Sequence, residues 1–168
     1  MRRLLQILSV AAALVAMAQP VEAQFKFGLQ GAVVTGLDEV AAGPNLNGTF
    51  GVGPRVAFQP PLLPIGVVGQ GVYYFPEGEG SYMTYSLAAQ LRLPLPVVQP
   101  YAIGGWQWRR AGNGTTVTQN GAMVGVGVQV NLAVAVFLEA SMEFNEAPTT
   151  NVDADNSIVI KGGVMLGN

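Results

Sequence analysis

From residue 124 to residue 130 the chain alternates without a break. Val124, Val126, Val128 and Val130 fall on one side, with Gly125, Gly127 and Gln129 on the other. A period of two belongs to a β-strand, whose successive side chains point to opposite faces. The alternation constrains the fold strongly because the surrounding stretch, residues 121–138, is almost apolar enough to be a membrane-spanning helix, broken only by Gln129 and Asn131. Val and Gly are poor helix formers, and the period is wrong for a helix.

The same alternation recurs in eight segments: residues 24–34, 49–59, 65–75, 82–93, 101–110, 121–131, 133–145 and 157–166. Each is close to the ~9–11 residues that a tilted strand needs to cross a bilayer. Polar connections at 35–48, 76–81, 111–120 and 146–156 alternate with the largely uncharged ones at 60–64, 94–100 and 131–133. Four loops on one rim and three turns on the other follow if both termini lie on the turn side. Long outer loops and short inner turns are the asymmetry of an exported membrane barrel.

The two faces of each strand differ in kind. Phe25, Phe27, Leu29 and Val33 oppose Lys26, Gly28, Gln30 and Ala32, and Phe50, Val52, Val56 and Phe58 oppose Gly51, Gly53, Arg55, Ala57 and Gln59. Continuing the count puts Gln70, Gln90, Arg92, Gln107, Arg109, Gln129, Glu139, Ser141, Glu143 and Lys161 on the polar faces. The opposite faces carry large residues such as Leu87, Leu91, Trp106, Trp108 and Phe144. A soluble barrel turns its apolar face inward. Here the polar face is rich in Gly and sparsely charged, which suits a narrow lumen, and the bulky apolar face suits lipid. The alternative is a soluble periplasmic lipocalin-like barrel that binds an apolar ligand. Aromatic girdles are a further expectation, with Phe50, Phe75, Tyr82, Trp108 and Phe144 near the loop rim and Phe25, Phe58 and Tyr101 near the turn rim. Tyr82 falls on the lumen-facing side and is the weak member of its belt.

Composition agrees with lipid exposure. Half of the 168 residues are hydrophobic and 11% are charged, against about 25% charged in ordinary globular chains. Arg2 and Arg3 followed by an apolar core over residues 4–17 and Val21-Glu22-Ala23 have the three parts of a secretory leader, with cleavage expected after Ala23. The expected division is a signal peptide at 1–23 and a barrel domain at 24–168. The mature part then holds 168 − 23 = 145 residues, six cations and nine acids, for a net charge of 6 − 9 = −3. Nucleic acid is excluded as a partner because no basic stripe exists to replace phosphate counterions.

Taken together, these features resemble the small eight-stranded outer-membrane β-barrels of the OmpA/OmpX type, over the whole mature chain. The stretch from Pro94 to Gly105, PLPVVQPYAIGG with Pro94 preceded by Leu93, is similar to the junction of the fourth and fifth strands in such proteins. The resemblance implies an all-β, antiparallel, up-and-down transmembrane barrel in the cell outer membrane. It also implies outer-membrane lipid and the barrel-assembly machinery as partners, and a structural or surface-interaction role in which the surface partner is unspecified. Family members usually finish on an aromatic residue read by that machinery, whereas this sequence finishes Met165-Leu166-Gly167-Asn168.

Chemistry, if any, belongs to the polar faces. Centring the last hairpin on its loop sets Asn145 opposite Ser157 and Lys161 opposite Ser141, diagonal to Glu139 and Glu143, within reach of long side chains. An ion-pair network of Lys161, Glu139 and Glu143 is expected, extended across the lumen by Arg55, with Arg92 and Arg109 as further candidates. Its expected role is to satisfy and fill the lumen, since an ionised group in a narrow interior needs a partner, and the alternative is a polar plug that closes the pore and opens when the pairs rearrange.

Catalysis is not expected. Some barrels resembling this one transfer acyl groups or deacylate lipid, chemistry that uses a His to activate Ser or water, and the chain has no His. It has no Cys either, which removes disulfides and thiolate metal sites. No cofactor is expected. The acids Asp38, Glu39, Glu77, Glu79, Glu146, Asp153 and Asp155 gather at the loop rim without EF-hand spacing, and are read as solvated loop residues rather than a calcium site. Gly51-Val52-Gly53 and Gly125-Val126-Gly127 lack the following helix and phosphate-binding Lys of a nucleotide loop, and are read as lumen packing.

Overall fold

The computed structural model describes residues 24–36, 48–60, 63–76, 81–113, 115–146 and 155–167. The expected leader at 1–23 and the loop acids Asp38, Glu39, Glu77, Glu79 and Asp153 lie outside the described residues, as does the side chain of Asp155.

Eight strands follow one another: β1 (Gln24–Gly36), β2 (Phe50–Gln59), β3 (Ile65–Tyr74), β4 (Ser81–Arg92), β5 (Val98–Asn113), β6 (Thr115–Asn131), β7 (Ala135–Asn145) and β8 (Asp155–Leu166). Each pairs antiparallel with its sequence neighbours, and β8 pairs with β1 to close a barrel. The near-helical stretch at 121–138 is the β6–β7 hairpin.

The stagger can be read from the pairing. Lys26 pairs with Ala57, then come Val68, Ala88, Gly105, Met123, Glu143 and Ser157, and the path returns to β1 at Gly36. The return is displaced by 36 − 26 = 10 residues. Ten rises of ~3.3 Å against eight strand spacings of ~4.8 Å tilt the strands by about 40° and give a backbone radius of about 8 Å. Side chains from opposite walls meet across such a lumen.

The faces are inside out relative to a water-soluble barrel. Leu29, Leu87, Val126 and Leu138 are each more than half exposed, and Trp106 and Trp108 stay over 40% exposed. Lys26, Arg55, Arg92, Arg109, Glu139, Glu143 and Lys161 are buried. A lipocalin-like barrel would show water that apolar belt, so the soluble alternative fails on the outer face.

Three expectations need correcting. Residues 111–120 were expected to form a loop, but β5 and β6 stay paired up to Asn113 opposite Thr115. Thr115, Thr116, Val117 and Thr118 have β-branched side chains that favour strand over loop, which extends the hairpin. Tyr101 is not part of the turn-side girdle. It is 5% exposed and points inward, on the parity of Gln107 and Arg109. In the last hairpin, Asn145 opposes Asp155 rather than Ser157, and Lys161 opposes Glu139 rather than Ser141. The shift is two residues, because β8 begins at Asp155. An even shift keeps every side chain on its expected face.

Candidate functional site

The lumen is built on a pairing of small with large. A Cβ on the inward-facing Gly28, Gly51, Gly127 or Gly163 would collide with an inward side chain of the adjoining strand: Met165, Tyr74, Tyr101 and Phe137 in turn. Those four are the register partners of the glycines. The outward Gly69, Gly71, Gly104 and Gly162 would meet nothing closer than 3.5 Å. These four inner glycines therefore serve as floor for large side chains that lie along the wall, which is how a narrow barrel fits a Tyr or Phe inside.

This device assembles the central cluster. Tyr101, Gly127, Glu139 and Lys161 form one continuous register across β5, β6, β7 and β8. With no side chain at Gly127, the Tyr101 ring passes over β6 and its hydroxyl donates to Glu139 Oε2 at 3.1 Å. Arg55 Nη2 reaches the same oxygen at 2.8 Å from β2, while its Nη1 donates to Gln70 Oε1 at 2.9 Å. The guanidinium lies 4.3 Å from the centre of the Phe137 ring, a cation–π contact made possible by the Phe137–Gly163 pair. Lys161 Nζ is 3.8 Å from Glu139 Oε1 and 3.4 Å from Glu143 Oε1. It also donates to Ser141 Oγ at 3.2 Å.

Charge in this cluster balances. Arg55 and Lys161 face Glu139 and Glu143, two cations against two carboxylates, all within 3% of full burial. Such groups are costly without each other, and a charge-assisted hydrogen bond such as that from Arg55 Nη2 to Glu139 is among the stronger pairings.

Arg109 and Arg92 occupy opposite ends of the lumen. Arg109 lies toward the loops, donates to Ser157 Oγ at 3.1 Å and sits 5.3 Å from the Tyr82 ring centre. Tyr82 packs in turn against Tyr74, with centroids 5.0 Å apart and the rings tilted by 56°. These tyrosines join Ala32, Val34, Val72 and Val159 in an apolar layer. Arg92 lies at the turn end, donates to Gln90 Oε1 at 2.8 Å, and has no carboxylate partner among the described residues.

The sequence placed Gln70 on the polar face without joining it to Arg55, and it gave no lumen role to Tyr101, Tyr74 and Phe137. Their inward parity was readable from their strands, but a large aromatic looks lipid-facing until the glycine beneath it is known. Among the described residues, no group of three potential metal ligands forms. Two serines meet a cation among the described residues, Ser157 with Arg109 and Ser141 with Lys161, and only the second pair holds an amine. There Lys161 is a donor already engaged by two carboxylates, and Ser141 is 2% exposed.

Solved structures share this architecture. Neisserial surface protein A superposes with a TM-score of 0.63 at 14% identity, covering 86% of this chain and 97% of that one. The N-terminal β-barrel domain of Pseudomonas aeruginosa OprF gives 0.56 at 12% identity, covering 85% and 97%. Ail, the attachment invasion locus protein of Yersinia pestis, gives 0.50 at 18% identity, covering 86% and 97%. Identities this low speak to the fold alone. Among curated protein sequences, none matches the chain. The outer membrane protein beta-barrel domain family, however, matches residues 7–164. With its closed eight-stranded wall and lipid-facing outer surface, the chain belongs to that family of the Gram-negative outer membrane.

Proposed function

We propose that the protein is a non-enzymatic outer-membrane barrel whose lumen is closed at mid-depth by side chains, and whose work is structural or interactive, through the loops at the cell surface. The observation that carries this reading is the bridge from Arg55 on β2 to Glu139 on β7, joined by Tyr101 and Lys161. It crosses a lumen of about 8 Å backbone radius, a width that side chains can fill, which supports closure at that level. The absence of His from the sequence and the engagement of Ser141 and Lys161 support a non-catalytic role. A name such as surface protein, borne by a structural neighbour, fits a role at the cell surface.

Single-channel recording on the refolded barrel tests the closure. The expected result is no large steady current in the wild type, and brief openings after Glu139→Gln with Glu143→Gln. A large steady wild-type current overturns the closed lumen. Unchanged stability and conductance in the double variant removes the network from the explanation.

A further inference from the structure

The turn-side mouth of the lumen contains charge that no carboxylate matches among the described residues. Lys26 on β1 and Arg92 at the end of β4 are 9% and 7% exposed, and both line one cavity of about 390 Å³. Gln59, Gln99 and Asn131 complete its polar wall, and among the described residues no carboxylate lines it. Lys26 Nζ reaches Asn131 Oδ1 at 3.4 Å. Among the described residues the Arg92 Nε has no hydrogen-bond partner, and Nη2 is met by the neutral Gln90.

The two cations also act on each other, and Arg55 adds its repulsion to Arg92 from deeper in the lumen. Buried charge is tolerated when paired and becomes costly when it is not. In the middle of the barrel Glu139 and Glu143 do the pairing. At the mouth the described residues supply only amides, beside a space with a volume of its own. At about 30 Å³ per water, that space holds a tetrahedral oxyanion together with part of its hydration shell. A guanidinium fork and an ammonium converging on one cavity are the usual donors for such an anion.

We propose that the turn-side mouth is a binding site for a phosphate-type oxyanion, held between Lys26 Nζ and the Arg92 guanidinium. Short turns mark the periplasmic end of such barrels. The phosphate is therefore either free in the periplasm or carried on a phosphoglyceride headgroup of the inner leaflet. This site is independent of the mid-depth closure, and a conducting lumen would leave it standing.

The test uses the full chain refolded in a phosphate-free alkyl glucoside, with folding checked by heat-modifiable migration. Calorimetric titration with inorganic phosphate, and separately with dihexanoyl phosphatidylglycerol, separates the two sources. Saturable binding of phosphate assigns the free ion, and saturation by the lipid alone assigns the headgroup. Arg92→Gln and Lys26→Gln are each expected to weaken binding at least tenfold, while Arg110→Gln, on the exposed side of β5, leaves it unchanged. Binding of neither probe to the wild type overturns the proposal, and so does equal binding by folded R92Q and K26Q. Should those variants fail to fold, the wild type decides. At constant ionic strength its unfolding temperature rises in phosphate relative to chloride, or in the phospholipid relative to a phosphate-free glycolipid. A rise in neither overturns the site.

Discussion

The middle of the lumen and its turn-side mouth each hold two buried cations, and the barrel treats them differently. In the middle, Arg55 and Lys161 are matched by Glu139 and Glu143 and packed against Phe137 and Tyr101. At the mouth, Lys26 and Arg92 face a cavity with amides for company. In the middle two carboxylates answer the two cations, whereas at the mouth the described residues answer them with amides and a cavity. Burial alone therefore does not say what a lumen charge is for; its partner and the space beside it do.

The largest expected effect comes from unbalancing the middle. Glu139→Ala strands Arg55 and weakens the hold on Lys161, at a cost of about 3–5 kcal/mol, measured by urea unfolding of the refolded barrel. A cost below about 1 kcal/mol would mean that water already reaches the cluster, and the contrast with the mouth would collapse. The neighbouring Leu138 points outward, 57% exposed to lipid. At that depth Leu138→Arg is expected to cost about 2–4 kcal/mol in the same assay in bilayers, because a cation outside the wall has no partner at all.

Volume is the next probe. A side chain at Gly163 would strike the Leu29 carbonyl oxygen and the Phe137 ring, so Gly163→Val is expected to destabilise by about 1–3 kcal/mol. Ala135→Leu, which fills the mouth cavity, should cost less than Gly163→Val in the same unfolding series, and the reverse order would place the free space elsewhere. The smallest effect is expected for Lys26→Met. In phosphate-free buffer it changes stability by no more than about 1 kcal/mol, towards greater stability, because it deletes a buried cation that lacks an acid. A loss of several kcal/mol would show that Lys26 has a partner as strong as those in the middle.

Most of the wall was legible in the sequence. The alternation from Val124 to Val130 and its seven counterparts located all eight strands and assigned Arg55, Glu139, Glu143 and Lys161 to the inner face, because parity is a local property of an extended chain. The hairpin at 111–120 was misread because Gly and Asn suggested a loop while the β-branched run beside them continued the strand. Tyr101 was misplaced because size and aromaticity point to an interface, and the glycine that accommodates it lies on another strand, 26 residues away in the chain (127 − 101 = 26).

The sequence by itself determined the strand period, the inward set of residues and the apolar outer surface, all of which follow from side-chain alternation and burial. Only the tertiary structure decided the register. That two-residue choice in the last hairpin puts Lys161 opposite Glu139, and the ten-residue stagger around the wall brings Arg55 across to the same carboxylate. The physical reason is that alternation fixes which face a residue takes but is blind to shifts of two. Closure of the wall selects among those shifts, and with them which charges meet in the middle and which are left at the mouth.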